Sequence, residues 1–408
     1  MITYIGNATS SQYYQGENIS LGVLDDVVKY CSDKSIIAID TETTGLDYID
    51  DRIVMLQIGD KNQQFVIDVR TTDITPLKYI FETEETIKIL HNAKFDYLFI
   101  KSQLGLNLKH IHDTMLTERV LKCGKKIKYG LKALVSNYFN IELDKNIRTT
   151  FNNATVFTKE QIEYGAKDIK YLIDLKQEQM KLADKYNLHA TINLENKAVL
   201  AFADMEFNGI DLDRDAWENL SKTNKEKADK LREQLDDYIL NIETFIKFKD
   251  QHIQTDLFIP VDNIRTVSVN WDSPKQVLEV FQTIESKIDN VNAKYLYKYS
   301  SNHSIIKTYT KYKEAMKLCT SYGMDFFKNL KSDGKIHTSF HQILDTGRVS
   351  SNGPNMQQIP ADNTFRNCFV PPIMEGWKFV SADYSSQELN VIAFGSKDPV
   401  WIKALESG

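Results

Sequence analysis

The first half of the chain alternates short apolar runs with polar turns and helical patterns. Four such runs, rich in isoleucine and valine, cover residues 36–39, 53–58, 65–67 and 87–90. The first ends at Asp40, and a helical spacing over 95–102 follows the last. Short β-branched runs joined by turns and then by a helix are typical of a mixed sheet with helices on its faces.

Longer helices are predicted further along the chain. Residues 158–161, TKEQ, form a capping-box pattern at a helix start, and apolar residues then recur at helical spacing as far as Ile173. The patterns over 194–207, 213–242 and 305–330 also predict long helices. Residues 259–270 resemble a loop with weak strand patterns, and residues 378–382 predict a strand that ends at Asp383.

Composition places the chain among folded globular proteins of two or three domains. It has 408 residues, of which 42% are hydrophobic and 26% charged. The 50 Lys and Arg against 56 Asp and Glu give a net charge of −6 and exclude a uniformly basic, histone-like binder. They do not exclude a nucleic-acid enzyme, which concentrates acids at metal ions and basic side chains along a groove. Lysines are frequent in residues 122–128 and 294–335. Each single lysine is best interpreted as part of a solvated helix face or loop, whereas the lysines as a group could follow a phosphate backbone.

The cysteines and the amino terminus indicate the compartment. The four cysteines, Cys31, Cys123, Cys319 and Cys368, include no CxxC pair, so neither a disulfide framework nor a zinc site is expected. The polar first 20 residues lack the apolar core of a signal peptide. No apolar run approaches the roughly 18 residues of a membrane helix. These features predict a soluble, cytoplasmic protein without a membrane partner.

Five side chains form the first candidate site. Asp40 and Glu42 lie at i and i+2 at the end of a predicted strand, so both carboxylates share one face. Asp96 begins an apolar helix, and Tyr164 and Asp168 share a helix face. Such oxygen ligands suit Mg²⁺ or Mn²⁺, and two ions about 4 Å apart would activate water against a phosphodiester.

These segments resemble a known family. IAIDTETTGL, HNAKFDYLFI and YGAKD resemble the three motifs of the DEDDy 3′–5′ exonucleases. The resemblance implies a ribonuclease H-like fold with a five-stranded mixed sheet. It assigns two metal ions to Asp40, Glu42, Asp96 and Asp168, and orientation of the attacking water to Tyr164. Asp113 also follows the family pattern, and we give it no catalytic role.

A second signature lies near the carboxyl end. TGRVSS, PNMQQIP and SADYSSQEL resemble successive motifs of family A DNA polymerases, the polymerase I type. This resemblance implies Mg²⁺ binding by Asp383 and sensing of the sugar 2′ position by Glu388. It also implies a primer-end contact for Arg348, and template or phosphate contacts for Gln357 and Arg366.

The resemblance spans nearly the whole chain, because residues 203–213 and 273–281 are similar to thumb segments of the same family. We therefore expect an α/β, ribonuclease H-like exonuclease domain at 1–190, a mainly helical thumb or connecting region at 191–332, and a partial α+β palm at 333–408. The palm would stop at Gly408, before the fingers and a second palm aspartate.

The expected function is the N-terminal part of a polymerase I-like protein, in a bacterial cell or phage-infected host. It would pair a proofreading exonuclease acting on DNA with an incomplete polymerase site, which uses dNTP only when a complementing polypeptide, as in a split polymerase, completes it. Two alternatives are a free-standing DEDDy exonuclease or ribonuclease, and a non-catalytic subunit that binds primer-template.

Overall fold

The amino-terminal part of the molecule is built on one mixed sheet. The computed structural model describes residues 1–6, 18–143, 151, 156–251, 265–372 and 376–407. The sheet strands are β1 Ile2–Ile5, β2 Ile19–Leu21, β3 Ile36–Thr43, β4 Ile53–Gly59, β5 Gln64–Asp68, β6 Ile87–Leu90 and β7 Ile111–Asp113. Their order is β2-β1-β5-β4-β3-β6-β7. β4 runs antiparallel to β3 and β5, and the other pairs are parallel.

The four apolar runs are confirmed as strands, and the mixed sheet is confirmed. The expected number of five strands was wrong, because the described residues already form seven strands in this sheet. The two additional strands, β1 and β2, extend the edge beyond β5, where residues 2–5 pair in parallel with residues 64–67. Tyr4 and Ile5 are buried there, so a short apolar segment inside a polar amino terminus joins the sheet.

Helices cover both faces of this sheet. They are α1 Leu24–Ser32, α2 Lys78–Glu82, α3 Ala93–Leu104, α4 Thr114–Leu121, α5 Leu131–Phe139, α6 Lys159–Lys170, α7 Leu172–Tyr186 and α8 His189–Asn208. All seven residues of β4 are buried, as expected for a strand covered on both faces. The capping box at Thr158 is confirmed, and it starts α6, which ends before Tyr171 rather than continuing to Ile173.

A helical region follows α8. Its helices are α9 Arg214–Asn241, α10 Pro274–Ile284, α11 Ala293–Ser300 and α12 Ser304–Tyr322. They surround a second core that includes Leu235, Phe281 and Tyr309. The helix predicted over 305–330 is interrupted, because Gly323 takes an extended backbone and a 3-10 helix, Met324–Asn329, follows.

Short strands return in the last part of the chain. They are β8 Ile210–Leu212, β9 Lys249–Gln251, β10 Arg265–Val267, β11 Lys335–Ile336, β12 Ser339–His341, β13 Ser350–Asn352 and β14 Phe369–Val370. β8 lies between β11 and β14, β9 pairs with β10, and β12 pairs with β13. The weak strand pattern within 259–270 thus corresponds to β10, while residues 252–264 lie outside the described residues.

The strand predicted over 378–382 is wrong. This segment is irregular and exposed, and Val380 is 92% exposed. A strand is stabilised by backbone hydrogen bonds to a neighbour, and none of the described strands pairs with this segment. Three short helices, α13 Asn363–Arg366, α14 Gln387–Ser396 and α15 Pro399–Glu406, complete this part. Within the described residues, no helix has both the length and the apolar character to cross a membrane.

Candidate active site

Strand β3 and helix α6 bring three of the predicted carboxylates together. β3 continues past Asp40 to Thr43, so Asp40 and Glu42 project from one strand. Asp168 lies on α6, which packs across β3, β4 and β5. One carboxylate oxygen from each of Asp40, Glu42 and Asp168 lies within 4.8 Å of the other two.

The close approach of α6 to the sheet depends on a glycine. A Cβ atom at Gly165 would lie 2.5 Å from the Gln57 side-chain nitrogen and 3.0 Å from the Met55 sulfur. Both of those side chains are fully buried in β4. Gly165 thereby lets α6 pack closely enough on the sheet for Asp168 to approach Asp40 and for Tyr164 to line the same cavity.

Asp96 enters the same site from the first turn of α3. Its side chain is 2% exposed, and its Oδ1 accepts a hydrogen bond of 2.6 Å from the Thr41 hydroxyl. The pKa of Asp96 is raised to about 7, mainly because burial disfavours its charged form; the Thr41 hydrogen bond opposes this rise and the neighbouring Asp113 carboxylate adds to it. Asp96 therefore sits where a bound cation would favour its charged form.

All five predicted residues line one cavity of about 240 Å³. Its wall also contains His91, Asn92, Phe95 and Lys132. The donors that converge here are carboxylate oxygens, and a cluster of such groups repels itself unless a cation compensates. This donor set fits a hard divalent ion such as Mg²⁺ or Mn²⁺, and contains no cysteine that would select zinc.

Asp113, to which the sequence analysis gave no catalytic role, has a clear structural one. It is 2% exposed and caps α4 by accepting from the backbone N–H groups of Met115 and Leu116. The same carboxylate accepts from the N–H groups of Asn92 at 3.1 Å and Ala93 at 2.8 Å. It therefore ties the first turns of α3 and α4 together, directly beside Asp96.

Among the polar residues of the cavity wall, Thr41 and Lys132 were not identified as site residues from the sequence. Thr41 stands between the two acids of the DTE segment, and its side-chain contact with Asp96 was visible only in three dimensions. Lys132 reaches the cavity from α5, and its ammonium group lies 3.7 Å from Glu142. The loop before α5 carries no pattern that would have pointed to the carboxylates.

The predicted polymerase residues are only partly assembled. An Arg348 Nη2 group donates to Glu388 Oε1 at 2.8 Å, in an exposed ion pair. Gln357 donates to the carbonyl oxygen of Val349 at 3.2 Å. Asp383 lies in the exposed irregular segment before α14, and Arg366 is exposed on α13. Among the described residues, the structure joins Arg348 to Glu388 and leaves Asp383 and Arg366 outside this contact.

Two family models match successive parts of the chain, and the second match includes most of the helical region. The model for the 3′–5′ exonuclease matches residues 22–184. The model for DNA polymerase family A matches residues 251–408. The predicted α/β class is confirmed, and the exonuclease match lies ahead of the polymerase match as expected.

Curated relatives and a solved structure agree with these matches. The chain is 28% identical to DNA polymerase I of Borreliella burgdorferi and 27% identical to that of Aquifex aeolicus. Each alignment covers 94% of this chain, and the chain spans 42% and 64% of the two relatives.

The solved structure is the POL domain of Pol1 from M. smegmatis, in complex with DNA primer-template and dNTP. It matches the fold with a TM-score of 0.71 and 22% identity, over 94% of this chain and 64% of that one. Residues 22–184 therefore match the 3′–5′ exonuclease family and residues 251–408 match DNA polymerase family A, in the same chain.

Proposed function

We propose that this chain removes nucleotides from the 3′ end of DNA in a metal-dependent reaction, as the proofreading part of a polymerase I-like protein. The convergence of Asp40, Glu42 and Asp168 within 4.8 Å supports this proposal most directly. We assign the exonuclease domain to 1–190, the thumb or connecting region to 191–332 and the beginning of the palm to 333–408. We place the activity in the cytoplasm of a bacterial or phage-infected cell.

The side chains of the site have three different proposed roles: metal binding, orientation of water and positioning of Asp96. Asp40, Glu42, Asp96 and Asp168 would hold two Mg²⁺ or Mn²⁺ ions, which when bound activate water and stabilise the leaving oxygen of a phosphodiester. Tyr164 lies one helical turn before Asp168, and its hydroxyl orients the attacking water. Thr41 and Asp113 hold Asp96 and the first turn of α3 in place.

A second cavity supplies room for the end of the DNA strand. It has a volume of about 480 Å³ and shares Asn92, Phe95 and Met115 with the carboxylate cavity. Leu46 and Arg119 also line it, which gives an apolar wall for a base and a cation for a phosphate. We propose that a single-stranded 3′ end enters through this cavity.

The exonuclease proposal is tested with 5′-labelled single-stranded DNA and RNA, each with and without Mg²⁺. We expect shortening from the 3′ end that requires the metal, and loss of it in Asp40→Ala. Tyr164→Phe should retain more activity, because the carboxylates remain. Asp174→Ala is the matched control, since Asp174 belongs to the same part of the fold but pairs with Lys61 outside the cavity. Equal activity of Asp40→Ala and Asp174→Ala would refute the proposal, and digestion of RNA alone would change its substrate.

We also propose that the carboxyl-terminal region binds primer-template DNA and uses dNTP only together with a complementing polypeptide. The M. smegmatis relative of the same fold was solved with these ligands. Large apolar side chains between residues 377 and 401 are exposed, and they suit a protein surface better than water. These exposed apolar residues are Trp377, Phe379, Val380, Tyr384, Leu389, Val391, Ile392, Phe394, Val400 and Trp401.

A further inference from the structure

A largely buried ion pair joins the exonuclease site to the polymerase-type region. Lys94, two residues before Asp96 on α3, pairs with Glu206 of α8. Their side chains are only 16% and 5% exposed. Lys94 also donates to the carbonyl oxygen of Phe340, and Glu206 Oε1 accepts from the Phe340 backbone N–H at 2.5 Å. We call this arrangement the Lys94–Glu206–Phe340 node.

The node satisfies both backbone groups of one residue in β12. The Phe340 C=O accepts a hydrogen bond from Lys94 of α3, and the Phe340 N–H donates one to Glu206 of α8. Charged hydrogen bonds of this kind are stronger and more directional than neutral ones. The node therefore fixes the distance between the first turn of α3 and the strand that precedes the TGRVSS motif.

A second set of contacts ties the other acidic motif to the same segment. Tyr48 lies in the loop that follows β3, and its hydroxyl donates to the Glu206 carbonyl oxygen at 2.7 Å. The same hydroxyl lies 3.0 Å from Nδ1 of His337, and Lys331 pairs with Asp47. Residues 331–342 thus contact the continuations of both segments that supply Asp40, Glu42 and Asp96.

We propose that Lys94 and Glu206 are positioning residues for the exonuclease reaction. This role rests on the proposed function. Contact of β12 with the node holds α3 in place. It thereby holds Asp96 at the distance from Asp40 and Glu42 that metal binding requires. Lys94 also lines the 480 Å³ cavity. Because its ammonium group is held by Glu206 and Phe340, we expect its effect to pass through Asp96 and to appear in kcat and metal affinity rather than in KM. Residues that orient metal ligands in this way typically change metal affinity or activity by about 10- to 100-fold when they are replaced.

The structure offers a matched control on the same two helices. Lys101 of α3 pairs with Asp204 of α8 at 2.5 Å, with side chains 20% and 46% exposed. This pair lies toward the other end of α3 and makes no hydrogen bond to residues 331–342 within the described chain. Lys101→Met thus removes a lysine from the contact between α3 and α8 and leaves β12 unchanged. Lys94→Met removes a lysine from the same contact that also binds β12.

The experiment compares Lys94→Met, Lys94→Arg, Glu206→Gln and Lys101→Met in the full chain. Three quantities are measured: kcat and KM on single-stranded DNA, Mn²⁺ affinity from the electron paramagnetic resonance signal of free Mn²⁺, and the melting temperature. We expect Lys94→Met and Glu206→Gln to lower kcat and weaken Mn²⁺ binding about tenfold or more with KM unchanged. Lys94→Arg should recover part of both, and Lys101→Met should match the wild type in both.

Several results would overturn the inference. Equal kcat and Mn²⁺ affinity in Lys94→Met and Lys101→Met would reduce the node to a general helix contact. A rise in KM alone would make Lys94 a substrate contact instead. If Lys94→Met does not fold, the near-isosteric variant Glu206→Gln serves as the test. Wild-type kcat and Mn²⁺ affinity in Glu206→Gln would then refute the positioning role of the node. An inactive wild-type chain that still binds Mn²⁺ would refute the proposed exonuclease function and leave the node to be judged on Mn²⁺ affinity.

Discussion

Asp96 is a carboxylate that the fold keeps almost completely from water. Only 2% of it is exposed, and the Thr41 hydroxyl supplies its hydrogen bond. The raised pKa of Asp96 records the cost of keeping its charge in this place without a cation. Buried carboxylates with a raised pKa are typical of functional sites, where residues needed for activity lower the stability of the fold.

This conflict predicts opposite effects of Asp96→Asn on stability and activity. The amide keeps an acceptor for Thr41 and removes the buried charge, so the metal-free variant should be more stable than the wild type at pH 8 by about 1–3 kcal/mol. The same variant should lose exonuclease activity. Urea unfolding in the presence of a chelator and a digestion assay measure the two effects. A less stable and still active variant would contradict the assignment of Asp96.

Lys88 gives a prediction on pH, away from the carboxylate cavity. Its side chain is fully buried in β6 and donates to the Thr83 carbonyl oxygen at 2.5 Å. Burial lowers the pKa of Lys88 from 10.5 to about 8. Between these values the unfolded chain binds more protons than the folded one, so the contribution of Lys88 to stability rises with pH.

Lys88→Met removes this cost together with one hydrogen bond. Below pH 8, we expect the free energy of unfolding of the variant to exceed that of the wild type by about 1 kcal/mol. This value already includes a loss of about 1 kcal/mol for the missing hydrogen bond to Thr83. The difference should shrink between pH 8 and 10.5. Urea unfolding at pH 7 and pH 10 measures it, and a difference that is independent of pH would show that Lys88 is not held in a lowered-pKa state.

At the scale of elements, helix α6 decides whether the site forms. It carries Tyr164 and Asp168, and the Thr158 cap begins it with both hydrogen bonds of the capping box. Its buried residues Ile162 and Ala166 pack with Val54, Met55 and Val66 of the sheet. The position of Asp168 over β3 is therefore set by how closely this helix packs.

Gly165→Ala should separate activity from stability. Alanine favours a helix by about 1 kcal/mol over glycine, which offsets part of the roughly 1–3 kcal/mol cost of an added methyl group in a packed core. The methyl group would meet Gln57 at 2.5 Å and push α6 outward. We expect the melting temperature to change little and kcat to fall at least tenfold, because small displacements of catalytic groups are costly.

The matched control for this change is Gly395→Ala in α14. A Cβ atom there has no neighbouring atom within 4 Å, and the residue also lies inside a helix. It should leave exonuclease activity unchanged. If the two alanine variants behave alike, the close packing of α6 does not control the site.

The elements near the site could be predicted because their signals are local. The β-branched run before Asp40 and the capping box before Tyr164 each mark an element by short-range pattern, and both are confirmed. Strand β1 was missed because its pairing with β5 joins residues far apart in the chain. The same limit applies to Thr41 and Lys94, whose partners Asp96, Glu206 and Phe340 lie 55, 112 and 246 positions away. No periodicity within a short window reports such contacts.

At the scale of the whole molecule, the two functional regions differ in how completely they are assembled. The exonuclease carboxylates lie in one cavity between packed elements. Asp383, by contrast, lies in an exposed irregular segment, and Arg348 is paired with Glu388. Nucleotidyl transfer depends on charges that are fixed in place before the reaction. The described residues of the proposed polymerase site do not provide such an arrangement by themselves.

The purified 408-residue chain should therefore digest a 3′ end and fail to extend a primer. Extension is measured on a labelled primer-template with dNTP and Mg²⁺, in the Asp40→Ala background so that digestion does not hide synthesis. A second polypeptide that carries a family A palm and fingers should bind the exposed apolar residues of 377–401 and allow extension. This extension should disappear in Asp383→Ala, because this carboxylate would then hold a metal ion at the primer end. Extension by the single chain that Asp383→Ala abolishes would show instead that the irregular segment orders around DNA without a partner.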